Sequence, residues 1–212
     1  PFLPYRVNVF VNNSDTQGPP IVVETNPTYH NVFGVIEKKP TVGGYTTDFT
    51  MIKAGSISRA NGGYLVLYDR DVLSNAGVWE ALQRVLKNRE LRIEEPGTFF
   101  GFVPPQGLRP EAIPTDTKVI MIGDPYLYRS LAAVDPDFRE TFKVKADFNF
   151  EVDRTQENLT AFACFISDYC NREGLRHFDS EAVARVIEQG ARQVEDQNKL
   201  STRFSDMVDL LI

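Results

Sequence analysis

Apolar and polar positions along this chain fall into a mixed order of short strands and helices, followed by helices alone. "YRVNVFV" at positions 5–11 alternates and predicts a strand. "PPIVVET" at 19–25 predicts a second, bounded by Gly18 and the Asn26–Pro27 pair. Positions 32–37 read as a weaker strand. Positions 42–54 read as a glycine-bearing loop with Tyr45, Phe49 and Met51, and "ISRANGG" at 57–63 as a short helix and turn. The β-prone run 64–67 follows. A helix is predicted at 78–89, where Val78, Leu82, Val85 and Leu86 share one face. The stretch 90–114 reads as two short strands around a tip rich in proline and glycine. "KVIMIGD" at 118–124 is a continuous apolar run, the pattern of a strand buried on both faces. A short helix at 126–134 and an extended segment at 142–150 complete this part.

The pattern changes near residue 153. A helix at 155–172 can be capped by Thr155, carries Leu159, Phe162, Ala163, Ile166 and Tyr169 on its face, and meets Gly174 as its stop. Asp179 or Ser180 caps the next, with Val183, Val186, Ile187 and Ala191 inward, and a third begins near Ser201. The expectation is an α/β domain over 1–152 feeding a small all-α domain over 153–212, with no internal repeat.

Composition narrows the function classes. A net charge of −6 argues against nucleic acid as the main partner, and no apolar run is long enough to predict a membrane span. No secretory signal is visible. Cys164 and Cys170 fall in one predicted helix, separated by roughly 9 Å of rise, too far for a disulfide. They read as small buried apolar groups in a reducing, cytoplasmic compartment. The chain opens on Pro1 and stops inside the amphipathic run "RFSDMVDLLI", so it is expected to be a piece of a longer protein.

Candidate chemistry centres on "NGGYLVLYDRDVLS" at 61–74. A β-prone apolar run after two glycines, then an acid, then a helix start, is the outline of a Walker B strand. The residue that meets the end of the run is Tyr68, and Asp69 comes one step late. The order of elements and the wording of "YRVNVFVNNSDTQGPPIVVETNPTYHNVFGVIE", "GSISRANGGYLVL" and "KLSTRFSDMVDLL" resemble the AAA+ module of the Lon-related proteases, most of all the archaeal-type and Lon-like branches. The resemblance covers nearly the whole chain. It implies a three-layer α/β AAA+ subdomain, incomplete because no G-x-x-x-x-G-K-[ST] phosphate loop occurs here, followed by a helical lid. It also implies a hexameric ring joined to a serine protease domain with a Ser–Lys dyad, acting on unfolded proteins.

Carried over position by position, the resemblance implies a nucleotide site with altered chemistry. Tyr68 stands where the acid holding Mg²⁺ is expected, and a phenol is a poor magnesium ligand. Asp69 stands at the water-activating glutamate, Asp124 at a sensor position where a neutral asparagine is usual, and Thr141 at the arginine finger, two residues after Arg139. Arg203 alone matches well, as the lid's sensor arginine. The expectation is a module with degenerate ATPase chemistry, kept for ring assembly and substrate gating, with ATP and magnesium belonging at most to the parent protein. Two alternatives stay open: a working ATP-driven unfoldase whose phosphate loop lies upstream, and a non-enzymatic adaptor.

The resemblance further places "VGGYTTDF" at the first pore loop, with Tyr45 gripping substrate, and "GTFFGFVPP" at the second, with Phe99, Phe100 and Phe102. Without it, these read as a turn packed on the core and as a buried strand or subunit contact. Neither His30 nor His177 has acids or cysteines at metal-ligand spacing, and no serine lies in a nucleophile elbow. No catalytic residue and no metal ligand is therefore assigned within the chain.

Overall fold

The computed structural model describes residues 5–42, 44–94 and 108–212. The chain divides into two units, Pro1–Lys143 and Val144–Ile212. The first runs β1 (Ile21–Val23), α1 (Tyr29–Phe33), β2 (Val35–Ile36), β3 (Lys39–Thr41), β4 (Gly44–Thr46), β5 (Ile52–Lys53), α2 (Ser56–Arg59), β6 (Tyr64–Tyr68), α3 (Asp69–Ser74), α4 (Val78–Asn88), β7 (Glu90–Leu91), β8 (Ile113–Pro114), β9 (Lys118–Ile122), α5 (Pro125–Val134) and α6 (Pro136–Thr141). The second runs β10 (Glu151–Asp153), α7 (Gln156–Glu173), α8 (Ser180–Val194), β11 (Lys199–Ser201) and α9 (Phe204–Val208).

β1, β6 and β9 form a parallel sheet in that order, with Val23 opposite Val66 and Val66 opposite Ile120. Because side chains alternate along each strand, the register sorts them into two faces. Leu65 and Leu67 are fully buried on one face, beside Val22, Val119 and Met121. They meet Val32 and Phe33 of α1, Ile57 of α2, Leu82 and Val85 of α4, and Phe138 of α6 in one apolar cluster. Ile21, Val23, Tyr64, Tyr68, Ile120 and Ile122 occupy the other face and are exposed. The expectation that 118–124 is buried on both faces is thus corrected: its apolar run is real, but no described element covers its second side.

Other expectations change as well. Residues 5–11 join no sheet among the described residues. Tyr5, Val7 and Val9 point outward, and Asn8 Nδ2 tethers the segment to the carbonyls of Phe49 and Ile52 at 2.9 and 3.1 Å. Alternation alone gave this stretch a strand-like face without a neighbour to pair. The expected loop at 42–54 holds β4, paired with β3 as a hairpin, and β5, paired with β2.

In the second unit, Thr155 and Asp179 cap α7 and α8, and Gly174 closes α7 in the left-handed region at φ 65°. Phe162, Ile166 and Cys170 of α7 pack with Val186, Ile187 and Ala191 of α8 and with Leu200 and Met207. This unit is not purely helical: β10 and β11 pair antiparallel, so the third helix starts at Phe204 rather than near Ser201. Cys164 is exposed and only Cys170 is buried. The inward face steps by four residues from Phe162, and Cys164, two residues on, falls on the opposite side.

The two faces of the sheet predict opposite mutational costs. Leu67→Ala should lower the stability of the first unit by about 2–5 kcal/mol, whereas Ile120→Ser should change it by less than about 0.5 kcal/mol. Urea unfolding read by the fluorescence of the single tryptophan, Trp79, which lies in the same cluster as Leu67, measures both.

Candidate functional site

The carboxyl ends of parallel strands are where α/β sheets usually build sites. Here β6 and β9 end level, with Tyr68 opposite Ile122, so the next residues on each strand come side by side. Asp69 is only 6% exposed. Its Oδ2 accepts the Asp124 main-chain N–H at 3.1 Å, and its Oδ1 accepts the Arg70 N–H at 2.6 Å. Glycine at 123 makes this approach possible: a Cβ there would lie 1.7 Å from Asp69 Oδ2. The carboxylate is therefore held between two strand ends and tied to both by backbone donors.

Asp124 is equally engaged. Its Oδ1 caps α5 by accepting from Tyr126 N at 2.6 Å and Leu127 N at 3.4 Å, with Pro125 at the first helical position. Its Oδ2 faces Arg70 Nη2 at 3.5 Å, an exposed pair worth little on its own. Tyr68 is partly exposed, on the uncovered face of the sheet opposite Ile122. The structure thus brings together Tyr68, Asp69 and Asp124, three of the positions singled out in the sequence.

Arg139 lies in the last turn of α6 and is exposed. That helix is fixed by Asp135, which caps it and whose Oδ2 accepts from Trp79 Nε1 at 3.0 Å and Gln83 Nε2 at 2.6 Å. Trp79 also stacks on Phe142 and contacts Phe138, so an aromatic cluster anchors the segment. Burial pushes the Asp135 carboxyl upward. The donors on Trp79, Gln83 and the main chain of Asp137 and Phe138 outweigh it and hold the group below its ordinary range.

In the second unit, Arg203 is exposed at the start of α9, its guanidinium 5.7 Å from the centre of the Phe150 ring. Tyr45 is 72% exposed on β4, opposite Pro40, and Val42 at the turn of the same hairpin is fully exposed. Phe99, Phe100 and Phe102 lie outside the described residues.

Asp69 already accepts main-chain hydrogen bonds on both oxygens, Asp124 caps a helix, and a phenol occupies the third position. Among the described residues no group of three or more histidines, cysteines and acids is placed to hold a metal. Gly123, Arg70 and the Trp79–Gln83–Asp135 set were missed in the sequence. Gly123 carried no signal of its own in the sequence, because what makes it matter is the Asp69 carboxylate packed beside it.

A family model described as LonB-like, AAA domain matches residues 17–149, and one described as archaeal LonB, AAA+ ATPase LID domain matches residues 177–212. No curated protein matches the chain. Among solved structures, NtrX from Brucella abortus is similar at 17% identity and a TM-score of 0.48, over 78% of this chain and 35% of that one.

Two outcomes test the geometry. Gly123→Ala should cost more than about 2 kcal/mol, because a buried steric clash must be relieved. In an Asp69→Ala background the same change should cost well under half as much, and a double-mutant cycle by urea unfolding reads the difference. Asp135 has a depressed pKa in the folded state, so its contribution is present above the ordinary carboxylate range and is lost as pH falls through the folded value. Asp135→Asn should therefore flatten the fall in stability below about pH 4, measured by acid titration of Trp79 fluorescence.

Proposed function

The chain belongs to the LonB-like AAA family, and from that premise we propose that it is a ring-forming, substrate-gating module whose own ATPase chemistry is degenerate. Its fold is the AAA+ arrangement of an α/β part followed by a helical lid. The proposal concerns what that arrangement does. The parent protein is a Lon-like serine peptidase acting on unfolded polypeptides, and this part supplies shape rather than phosphate chemistry.

One observation carries the reading: the acid at the end of β6 serves the backbone. Asp69 is closed against Gly123 and accepts a main-chain N–H on each oxygen, which turns the carboxylate toward the backbone and competes with its use on a water or a cation. Tyr68 removes the neighbouring carboxylate. The charge that catalyses phosphoryl transfer is positional, and a group turned away by even about 1 Å forfeits much of its effect.

Two further features support the scaffold role. β9 has a partner on one side only among the described residues, and the sheet face that includes Ile120 and Ile122 is uncovered. Parallel sheets are normally covered on both faces, so this one is suited to receive a further strand and helix from elsewhere in the parent. The β3–β4 hairpin presents Val42 and Tyr45 to solvent, a small apolar and aromatic tip that can grip extended chain with little regard to sequence.

The full-length protein tests this. Degradation of an unfolded protein should proceed at nearly the same rate with and without ATP and magnesium, and ATP hydrolysis should stay at background. Tyr45→Ala should slow degradation of the unfolded protein severalfold while leaving cleavage of a short peptide unchanged. Rapid ATP turnover by the full-length protein, coupled to degradation, would sink the degenerate reading and favour an unfoldase with an intact phosphate loop.

A further inference from the structure

At the opposite end of β6 from Asp69, the first unit holds a cavity of about 270 Å³. Phe10, Val11, Leu91 of β7 and Ile113 of β8 supply its apolar lining. Among the described residues no charged side chain lines it. Its polar rim is mostly engaged in holding the walls together. Asn61 donates to the Pro114 carbonyl at 3.2 Å and accepts from Asp116 N at 2.8 Å, joining the turn before β6 to the end of β8 and the connection that follows it. Asn13 Nδ2 reaches the Arg59 carbonyl at 3.5 Å, and Thr115 shares a hydrogen bond with Thr117, which in turn donates to the Ile57 carbonyl.

Ser58, which also lines the cavity, is different. It sits in α2 with 6% exposure, and its hydroxyl is the buried side-chain polar atom without a hydrogen-bond partner among the described residues. An unpaired buried hydroxyl is destabilising relative to a paired one, so Ser58 favours a group in the pocket that can exchange a hydrogen bond with it.

We propose that this cavity is a binding site for an uncharged, mainly apolar group of side-chain size that exchanges one hydrogen bond with Ser58 Oγ. The charge-free lining sets the class. A phosphate or carboxylate would find no cation here and an ammonium group no anion, so either would lose hydration without return. The volume sets the size, since it lies just below the roughly 300 Å³ at which drug-sized pockets begin. Four apolar residues supply the burial, and the hydroxyl supplies orientation. Such a group can arrive as a free small molecule or as a leucine- or phenylalanine-sized side chain on an extended peptide. The site does not depend on the fate of the ATPase chemistry, because it stands at the other end of the strand.

The test uses the 212-residue chain and two neutral probes, p-cresol and N-acetyl-phenylalaninamide, titrated while backbone amide resonances are recorded. Saturable shifts at Ser58, Leu91 and Ile113 are expected with at least one probe. Binding of both points to the free group itself, and binding of the amide alone points to a peptide source. Ser58→Ala should weaken binding about five- to tenfold, the effect of one hydrogen bond. The same variant should unfold at equal or higher urea concentration than the parent chain, because it removes an unpaired buried group. Ile113→Trp, which fills the cavity, should abolish binding with the fold checked by circular dichroism. The proposal is overturned if neither probe binds up to its solubility limit, or if binding ignores both substitutions. A Ser58→Ala chain that is clearly less stable overturns it too, since the hydroxyl would then have a structural partner.

Discussion

A buried carboxylate held against a glycine at the ends of two parallel strands sets the layout of the first unit. Burying an ionised acid is costly unless hydrogen bonds replace its lost water. Asp69 meets that condition through the main-chain N–H groups of Arg70 and Asp124. Its position depends on β6 and β9 ending in register and on the absence of a side chain at Gly123. Once those strand ends are locked, Asp124 stands where it caps α5. α5 delivers the chain to Asp135, which caps α6 and fixes it to Trp79 and Gln83 of α4. A chain of acids, each bonded to the backbone that follows it, thus carries order from the sheet to the helix bearing Arg139.

The sheet is asymmetric, and the asymmetry bears on Tyr68. One face is joined to every sizeable helix of the first unit through a single apolar cluster; the other presents isoleucines, a valine and two tyrosines to solvent. Under the proposed reading that second face is covered in the parent. A carboxylate at position 68 would then be buried beside apolar neighbours and would need a cation to justify its charge. A tyrosine keeps an apolar body on such a face and needs only one partner for its hydroxyl. A phenol at this strand end is therefore compatible with a packed sheet under the proposed reading.

Periodicity made the helices legible. The faces of α4, α7 and α8 and the caps Thr155 and Asp179 follow from spacing and from which side chains can accept an orphan N–H. The buried run before Asp124 was legible as a strand but not as a strand bare on one side, because apolar content records the environment a face is built for rather than what covers it in a given piece of chain. The misplaced strand at 5–11 shows the reverse: alternation was present, but pairing needs a neighbouring edge that no local pattern announces. Cys164 went astray by a rotation of two residues around α7. Tyr68 and Asp69 were singled out where an apolar run ends, and Asp124 through the family resemblance, while Gly123 passed unremarked. Its importance comes from a neighbour 54 residues away in the chain, and a glycine advertises only backbone freedom.

The two strand ends also bear on the proposed loss of nucleotide chemistry. A helix start offers unpaired N–H groups and the positive end of the helix dipole, and these make it a natural seat for a phosphate. At the starts of α3 and α5 the chain supplies its own anions. Asp69 accepts from the Arg70 N–H, and Asp124 accepts from Tyr126 and Leu127. Any incoming phosphate would have to displace these carboxylates, and the displaced acids would remain within reach to repel it. Among the described residues Arg70 is the one cation paired at these strand ends, across an exposed 3.5 Å contact with Asp124. The same residues that make the sheet end stable therefore make it anionic and self-satisfied. Under the proposed reading such an architecture persists without phosphate chemistry, because hydrogen bonds within the chain already engage these carboxylates.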